Sequence, residues 1–166
     1  MKLQEIQLNE SLDSPVHWTK NVEQADPEPM SSYSFKIGRY KYRVEFNHYS
    51  GTSNEHGGFD WRGVVIYGKG RRIKDKKDIP KVSLRQLLST VVEIVNDFLE
   101  NQRPEHGLDL GMTFYGESSI AKAEPLLHRV FQSKLHSKYK LSEFFEHGMA
   151  IGGISQNYNI LIEKRL

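Results

Sequence analysis

A β-hairpin in the first third of the chain constrains the fold more than any other segment. Tyr33–Ile37 and Tyr40–Phe46 both alternate between apolar and polar side chains, which predicts two strands that are buried on one face. The two residues between them, Gly38-Arg39, place glycine at the first central position, as a type II′ turn requires. A two-residue connection of this kind joins antiparallel strands, so the chain is expected to build an antiparallel sheet.

The most regular helical pattern begins at Ser83. Ser83 and Gln86 match a capping box, and Pro104 marks the end of the helix. Between them the apolar residues keep helical spacing on one stripe, which predicts an amphipathic helix packed on the sheet. The residues of that stripe are Leu84, Leu87, Leu88, Val91, Val95, Phe98 and Leu99.

Other segments complete a pattern of strands around two helices. Trp61–Tyr67 is apolar on both faces, which predicts a central strand, and Leu108–Tyr115 alternates as a half-buried strand does. Ser119–Leu135 has an apolar face with helical spacing and predicts the second helix. The chain is expected to close with a hairpin of Met149–Ile154 and Tyr158–Glu163.

The predicted fold class is therefore α+β, in the order β-β-β-α-β-α-β-β. Two helices on one mostly antiparallel mixed sheet are the economical solution, and only the crossover through the first helix requires a parallel pair. The 166 residues fit one compact domain over residues 31–166, after an irregular N-terminal arm over residues 1–30.

Composition excludes several classes of protein. The chain has no cysteine, which rules out disulfides, thiolate zinc sites and cysteine nucleophiles. A net charge of +2 is too small to indicate nucleic-acid binding by itself. No apolar run has the length of a membrane span, and Met1–Leu12 lacks the apolar core of a signal peptide. We therefore expect a protein of the cytoplasm, or of the cytoplasm of a host cell, without membrane contact or cofactor.

The central order of strand, loop, helix, strand and helix over Val64–Phe131 resembles the core of the GNAT N-acyltransferases. In that family a glycine-containing loop before the helix cradles the coenzyme A pyrophosphate on backbone N–H groups. The corresponding segment here, Ile79–Gln86, contains no glycine. The resemblance implies a GNAT-like architecture that does not extend to the cofactor site, and as an alternative function a degenerate GNAT-like acyltransferase.

A second resemblance covers nearly the whole chain. Several segments are similar to those of a family of small, uncharacterised tailed-phage proteins: Met1–Ile6, Trp18-Thr19, Tyr42–Phe46, Leu88–Leu99 and Phe114–Ser119. This resemblance implies a phage origin but no substrate.

The loop before the first helix is strongly basic. Clustered lysines and arginines favour phosphate backbones through counterion release, and this predicts a surface for an anionic partner. The alternative is a solvated loop that keeps a sheet protein soluble, and the loop has no interleaved aromatic residues. The candidate residues are Lys69, Arg71, Arg72, Lys74, Lys76, Lys77 and Lys81.

No catalytic or metal motif is found in the sequence. His48, His56 and Asp60 are the best cluster of metal-ligating types, but their spacing matches no known metal motif. Ser118 and Ser119 precede the second helix, where the simplest role for a serine is to cap it. We predict no catalytic residues and no metal site.

Aromatic residues provide a second candidate surface. Tyr49, Phe59 and Trp61 would form a patch for a protein partner if they were exposed, although each taken singly fits the core equally well. The leading hypothesis from sequence is a non-enzymatic, phage-type accessory protein that binds a virion component or a host protein. The alternatives are the acyltransferase-like enzyme and a nucleic-acid binder that uses residues 69–81.

Overall fold

The computed structural model describes residues 14–24, 29–48, 59–68, 76–147 and 155–166. In chain order its elements are β1 (Trp18–Gln24), β2 (Pro29–Ile37), β3 (Tyr40–His48), β4 (Trp61–Tyr67), a 3₁₀ turn (Lys76–Asp78), α1 (Leu84–Gln102), β5 (Gly107–Tyr115), α2 (Glu117–Lys134), β6 (Tyr139–His147) and β7 (Ser155–Lys164). The predicted α+β class is confirmed: seven strands form one sheet in the order β1-β2-β3-β4-β5-β7-β6.

One strand pair in this sheet is parallel. It joins β4 to β5, the two strands that α1 connects, and every other neighbouring pair is antiparallel. This agrees with the expectation that only the helical crossover requires parallel pairing. The β2–β3 turn has the predicted type II′ character, because Gly38 has a φ of 60° and Arg39 has no positive φ.

Both helices pack on the same face of the sheet. From α1, Phe98 stacks on Phe46 with the ring centroids 4.0 Å apart and meets Trp61 edge-on at 5.1 Å. The side chain of Asn96 joins the ends of the two helices, since it donates to the Lys134 carbonyl and accepts from the His136 amide, both at 2.7 Å. Among the described residues, no helix covers the opposite face, which we call the open face.

The core lies between the helices and the sheet. Its largest fully buried side chains come from four strands and both helices, namely Tyr33, Phe46, Phe98, Phe114, Phe131, Leu88, Ile94, Leu99, Leu108, Leu110, Leu127 and Ile160. The predicted cap of α1 is present, because the Ser83 hydroxyl accepts a hydrogen bond from the Gln86 amide at 3.3 Å. The Gln86 side chain donates to the Ser14 carbonyl at 3.4 Å, so it ties the N-terminal segment to α1.

The expected irregular N-terminal arm needs correction. Trp18–Gln24 forms β1, which pairs with β2 at the edge of the sheet. Its sequence is polar because an edge strand that only partly faces the core needs few apolar residues, and this hides it from a search for alternation. Trp18 is the large apolar residue of this strand. It packs against the core, and its indole Nε1 donates to Glu93 of α1 at 2.7 Å. The sheet therefore begins well before residue 31.

The expected C-terminal hairpin is wrong in its pairing. β7 lies between β5 and β6 and pairs antiparallel with both, so the hairpin partner of Tyr158–Glu163 in the described structure is Tyr139–His147. Residues 149–154 lie outside the described residues. The expected serine cap of α2 is also wrong. α2 begins at Glu117, so its N-cap residue is Gly116, which has a φ of 85° and no side chain that could cap the helix.

Candidate functional site: a basic groove on the open face

The feature that stands out on the open face is a pair of lysines beside the β2–β3 turn. In the antiparallel register Lys36 lies directly opposite Lys41, which places both side chains on the same face. Both lysines are exposed, and among the described residues neither has a carboxylate within ion-pair distance. Like charges in directly opposed positions destabilise a sheet, so this arrangement has an energetic cost.

The lysines belong to an open groove of about 390 Å³. Gly68 lies at its floor, where its amide donates to the Lys41 carbonyl at 2.8 Å and extends the β3–β4 edge by one hydrogen bond. Arg43 lies further along β3, with its Nε 2.9 Å from a Glu45 carboxylate oxygen. The lining residues are His17, Ser34, Phe35, Lys36, Lys41, Tyr42, Arg43 and Gly68. We call this site the basic groove.

Further cations lie at the same end of the sheet. Arg39, in the turn itself, has its guanidinium 5.2 Å from the Tyr40 ring centroid and donates to the Tyr40 hydroxyl at 3.3 Å. That hydrogen bond, followed by one from the Lys81 backbone, lowers the pKa of Tyr40. The Lys81 backbone is thus close to the turn, and Lys81 and Lys77 are both exposed. Basic side chains therefore extend from the groove across the turn toward the start of α1.

The structure places only part of the predicted basic loop. Lys69, Arg71, Arg72 and Lys74 lie outside the described residues, and Lys76 lies in the 3₁₀ turn. Lys77 and Lys81 are described, and the chain enters this loop from Gly68 at the floor of the groove.

The lysines of β2 and β3 were missed in the sequence. Each of them reads as an ordinary outward residue of an amphipathic strand. The signal that could have found them is the turn, because a two-residue connection at Gly38-Arg39 brings Lys36 opposite Lys41.

The proposed aromatic patch is not an exposed surface. Phe59 and Trp61 are both buried, with 6% and 8% of their surface exposed, and Trp61 packs against Phe98 and His48. Trp61 faces the helices because the β4–β5 register places it beside the buried Leu108. Tyr49 lies outside the described residues.

The loop cluster considered for a metal does not assemble. The Asp60 carboxylate accepts from the backbone amides of Glu105, His106 and Gly107 at 2.8, 3.2 and 2.9 Å, so it anchors the start of β5. His48 packs edge-on against Trp61, and His56 lies outside the described residues. In the part of the chain that is described, no three His, Asp or Glu side chains form a candidate metal site, and no helix is long and apolar enough to cross a membrane.

The parallel strands β4 and β5 part before their ends. Their pairing stops at Val64 and Gly111, although both strands continue for several residues. Such a gap, at the carboxyl ends of parallel strands and beside a helix N-terminus, is where ligands of α/β proteins usually bind. Here the rings of Tyr67 and Tyr115 meet across it with their centroids 6.3 Å apart, and Tyr42 of the neighbouring β3 packs beside Tyr67 at 5.4 Å. The space left beside α1 is about 20 Å³, enough for one water molecule.

No protein-family model, no curated protein and no solved structure matches this chain.

Proposed function

We propose that this protein is a non-catalytic accessory protein that binds a macromolecular partner through the basic groove. The resemblance to small tailed-phage proteins supports a role in phage infection, with a virion component or a host macromolecule as the partner. The observation that carries the proposal is the opposed pair of Lys36 and Lys41, unpaired among the described residues. An anionic partner would neutralise this pair and remove its repulsion.

The open face itself provides an internal comparison. Two pairs of polar side chains on the central strands β5 and β7 are hydrogen-bonded across the sheet. Asn159 donates to Asp109 at 2.7 Å, and Thr113 donates to Asn157 at 2.6 Å. Lys36 and Lys41, by contrast, have no partner of opposite charge among the described residues. This difference supports a role for the two lysines outside the folded chain.

The GNAT-like acyltransferase is the second candidate. The helical crossover between parallel β4 and β5 favours its architecture. An acyl-coenzyme A held at the α1 N-terminus would place its arm near this gap, and the small cavity beside α1, about 20 Å³, argues against it. Isothermal titration with acetyl-coenzyme A separates the two candidates. Binding at micromolar affinity would favour the enzyme, and absence of heat at millimolar ligand would leave the binding protein.

The proposal is tested by affinity capture from a lysate of infected cells, with and without nuclease, and mass spectrometry of what is retained. The test variant is Lys36→Gln/Lys41→Gln, and the matched control is Lys122→Gln/Lys164→Gln. The control removes the same charge from exposed lysines on α2 and at the opposite end of β7. We expect the wild type and the control to retain the same partner and the test variant to lose it. Equal retention by all three proteins would contradict the proposal.

A further inference from the structure

We infer that the basic groove binds the phosphate backbone of duplex DNA, without sequence preference. This inference rests on the proposed function and names the class of its partner. Its first support is charge. Lys36, Lys41 and Arg43 line the groove, with Arg43 beside Glu45, and the exposed Arg39 and Lys81 lie at the same end of the sheet. Cations clustered in this way release counterions when they meet phosphates, which is the main source of sequence-independent DNA affinity.

The second support is the absence of an apolar anchor. Protein partners usually bind around a few large apolar or aromatic side chains at the centre of the interface. Among the described residues the single large hydrophobic side chain that is exposed is Leu166, which follows β7 at the opposite end of the sheet. A cationic surface without such an anchor fits a phosphate backbone better than it fits a protein surface.

The third support is the position of the nearby aromatic rings. Single-stranded nucleic acids are held by bases that stack on exposed aromatic side chains. At the groove Phe35 and Tyr42 stack on each other with centroids 5.3 Å apart, and each is only 5% exposed, on the face that the helices cover. No stacking platform is therefore open to a base in the described part of the groove, which favours a duplex over a single strand.

The fourth support is the shape of the turn. Pairing of β2 with β1 ends at Phe35 and the strand register of β3 with β4 ends at Tyr42, so the segment Lys36–Lys41 is the end of a two-stranded ribbon, which the Gly68 amide still joins at the Lys41 carbonyl. Three of the six residues in this segment are cationic: Lys36, Arg39 and Lys41. The major groove of B-form DNA admits a two-stranded ribbon, whereas that of A-form RNA is too deep and narrow.

The test is fluorescence anisotropy with a labelled random-sequence DNA duplex, titrated between about 50 and 200 mM salt. We expect a dissociation constant of about 10⁻⁶ to 10⁻⁴ M for the wild type at physiological salt. In a plot of log affinity against log salt, Lys36→Gln/Lys41→Gln should reduce the slope by about 2, since each phosphate contact contributes about 0.9. Lys122→Gln/Lys164→Gln should bind as the wild type does. An unchanged slope in the test variant, or no binding by the wild type, would overturn the inference.

Other probes separate this inference from the proposed function. Polyglutamate, duplex RNA or single-stranded DNA that binds as tightly as duplex DNA would overturn the assignment to duplex DNA. A nuclease-resistant protein captured by the wild type but lost by Lys36→Gln/Lys41→Gln would also overturn it, while the proposed function would stand. If the test variant kept both DNA binding and the captured partner, both proposals would fall. Thermal unfolding of each variant verifies that it is folded.

Discussion

Replacing Lys41 by glutamate should make the protein more stable while it weakens binding. In the wild type two like charges face each other across the β2–β3 pair, and Lys41→Glu turns that repulsion into an attraction. Two unit charges about 6 Å apart in water interact by about 0.7 kcal/mol, and exposed pairs contribute about 0.2–1 kcal/mol in practice. We therefore expect the free energy of unfolding to rise by about 1 kcal/mol.

For a chain of this length that gain corresponds to a rise in Tm of about 2–4 °C, measured by differential scanning calorimetry. Lys41→Gln, which removes the repulsion but adds no attraction, should show about half of the rise. In 1 M salt, where the screening length is about 3 Å, the difference between the variants and the wild type should disappear. A lower Tm for Lys41→Glu, or a gain that persists in 1 M salt, would refute the electrostatic argument.

Three other predictions concern the framework that carries the groove. Gly107→Ala should lower the free energy of unfolding, measured by urea denaturation, by about 2–3 kcal/mol, because the added methyl group would overlap a backbone carbonyl of β7. In the control variant Gly111→Ala the nearest atom to the added methyl group would be 3.7 Å away, so the free energy of unfolding should stay unchanged or rise by up to about 1 kcal/mol. Asp60→Ala should cost about 2–3 kcal/mol, since three backbone amides lose their acceptor, and an unchanged midpoint would contradict that anchor. His136, 2.6 Å from Glu100, lowers the pKa of that carboxyl. The stability that this pair contributes is present above the ordinary glutamate pKa of about 4.3 and is lost as the pH falls through the lowered one, so Glu100→Gln should flatten the stability profile below that ordinary pKa, measured by thermal unfolding at a series of pH values.

Much of the fold could be predicted from periodicity alone. The β2–β3 hairpin, β4, α1 and β5 each have a strong pattern, because one face of each element meets a continuous apolar core. β1 has no such pattern, since it is a polar edge strand whose place is fixed by contacts of Trp18 and the preceding residues with α1. The pairing of β7 could not be read from its sequence either, because insertion between β5 and β6 depends on contacts with strands distant in the chain.

The candidate site could be predicted only in part, for a similar reason. A run of charges within one loop is visible in the sequence, and Lys77 and Lys81 were found in that way. Lys36 and Lys41 are separated by four residues and belong to two different strands, so their shared position depends on the turn between them. Exposure of Phe59 and Trp61 could not be judged, because an aromatic residue near a loop looks the same whether it packs inward or outward.

The β4–β5 gap and the basic groove together favour the proposed binding through a surface over a ligand held in a crevice. Parallel strands that part at their carboxyl ends normally leave a crevice for a small ligand. Here that crevice is occupied by the protein's own phenol rings, and burial raises the pKa of both Tyr42 and Tyr115, as expected for groups removed from water. A site filled in this way cannot supply binding energy to a ligand without unpacking the core. Lys36 and Lys41, which have no partner of opposite sign among the described residues, lie instead on the open face, where the proposed anionic partner would reach them without unpacking the core.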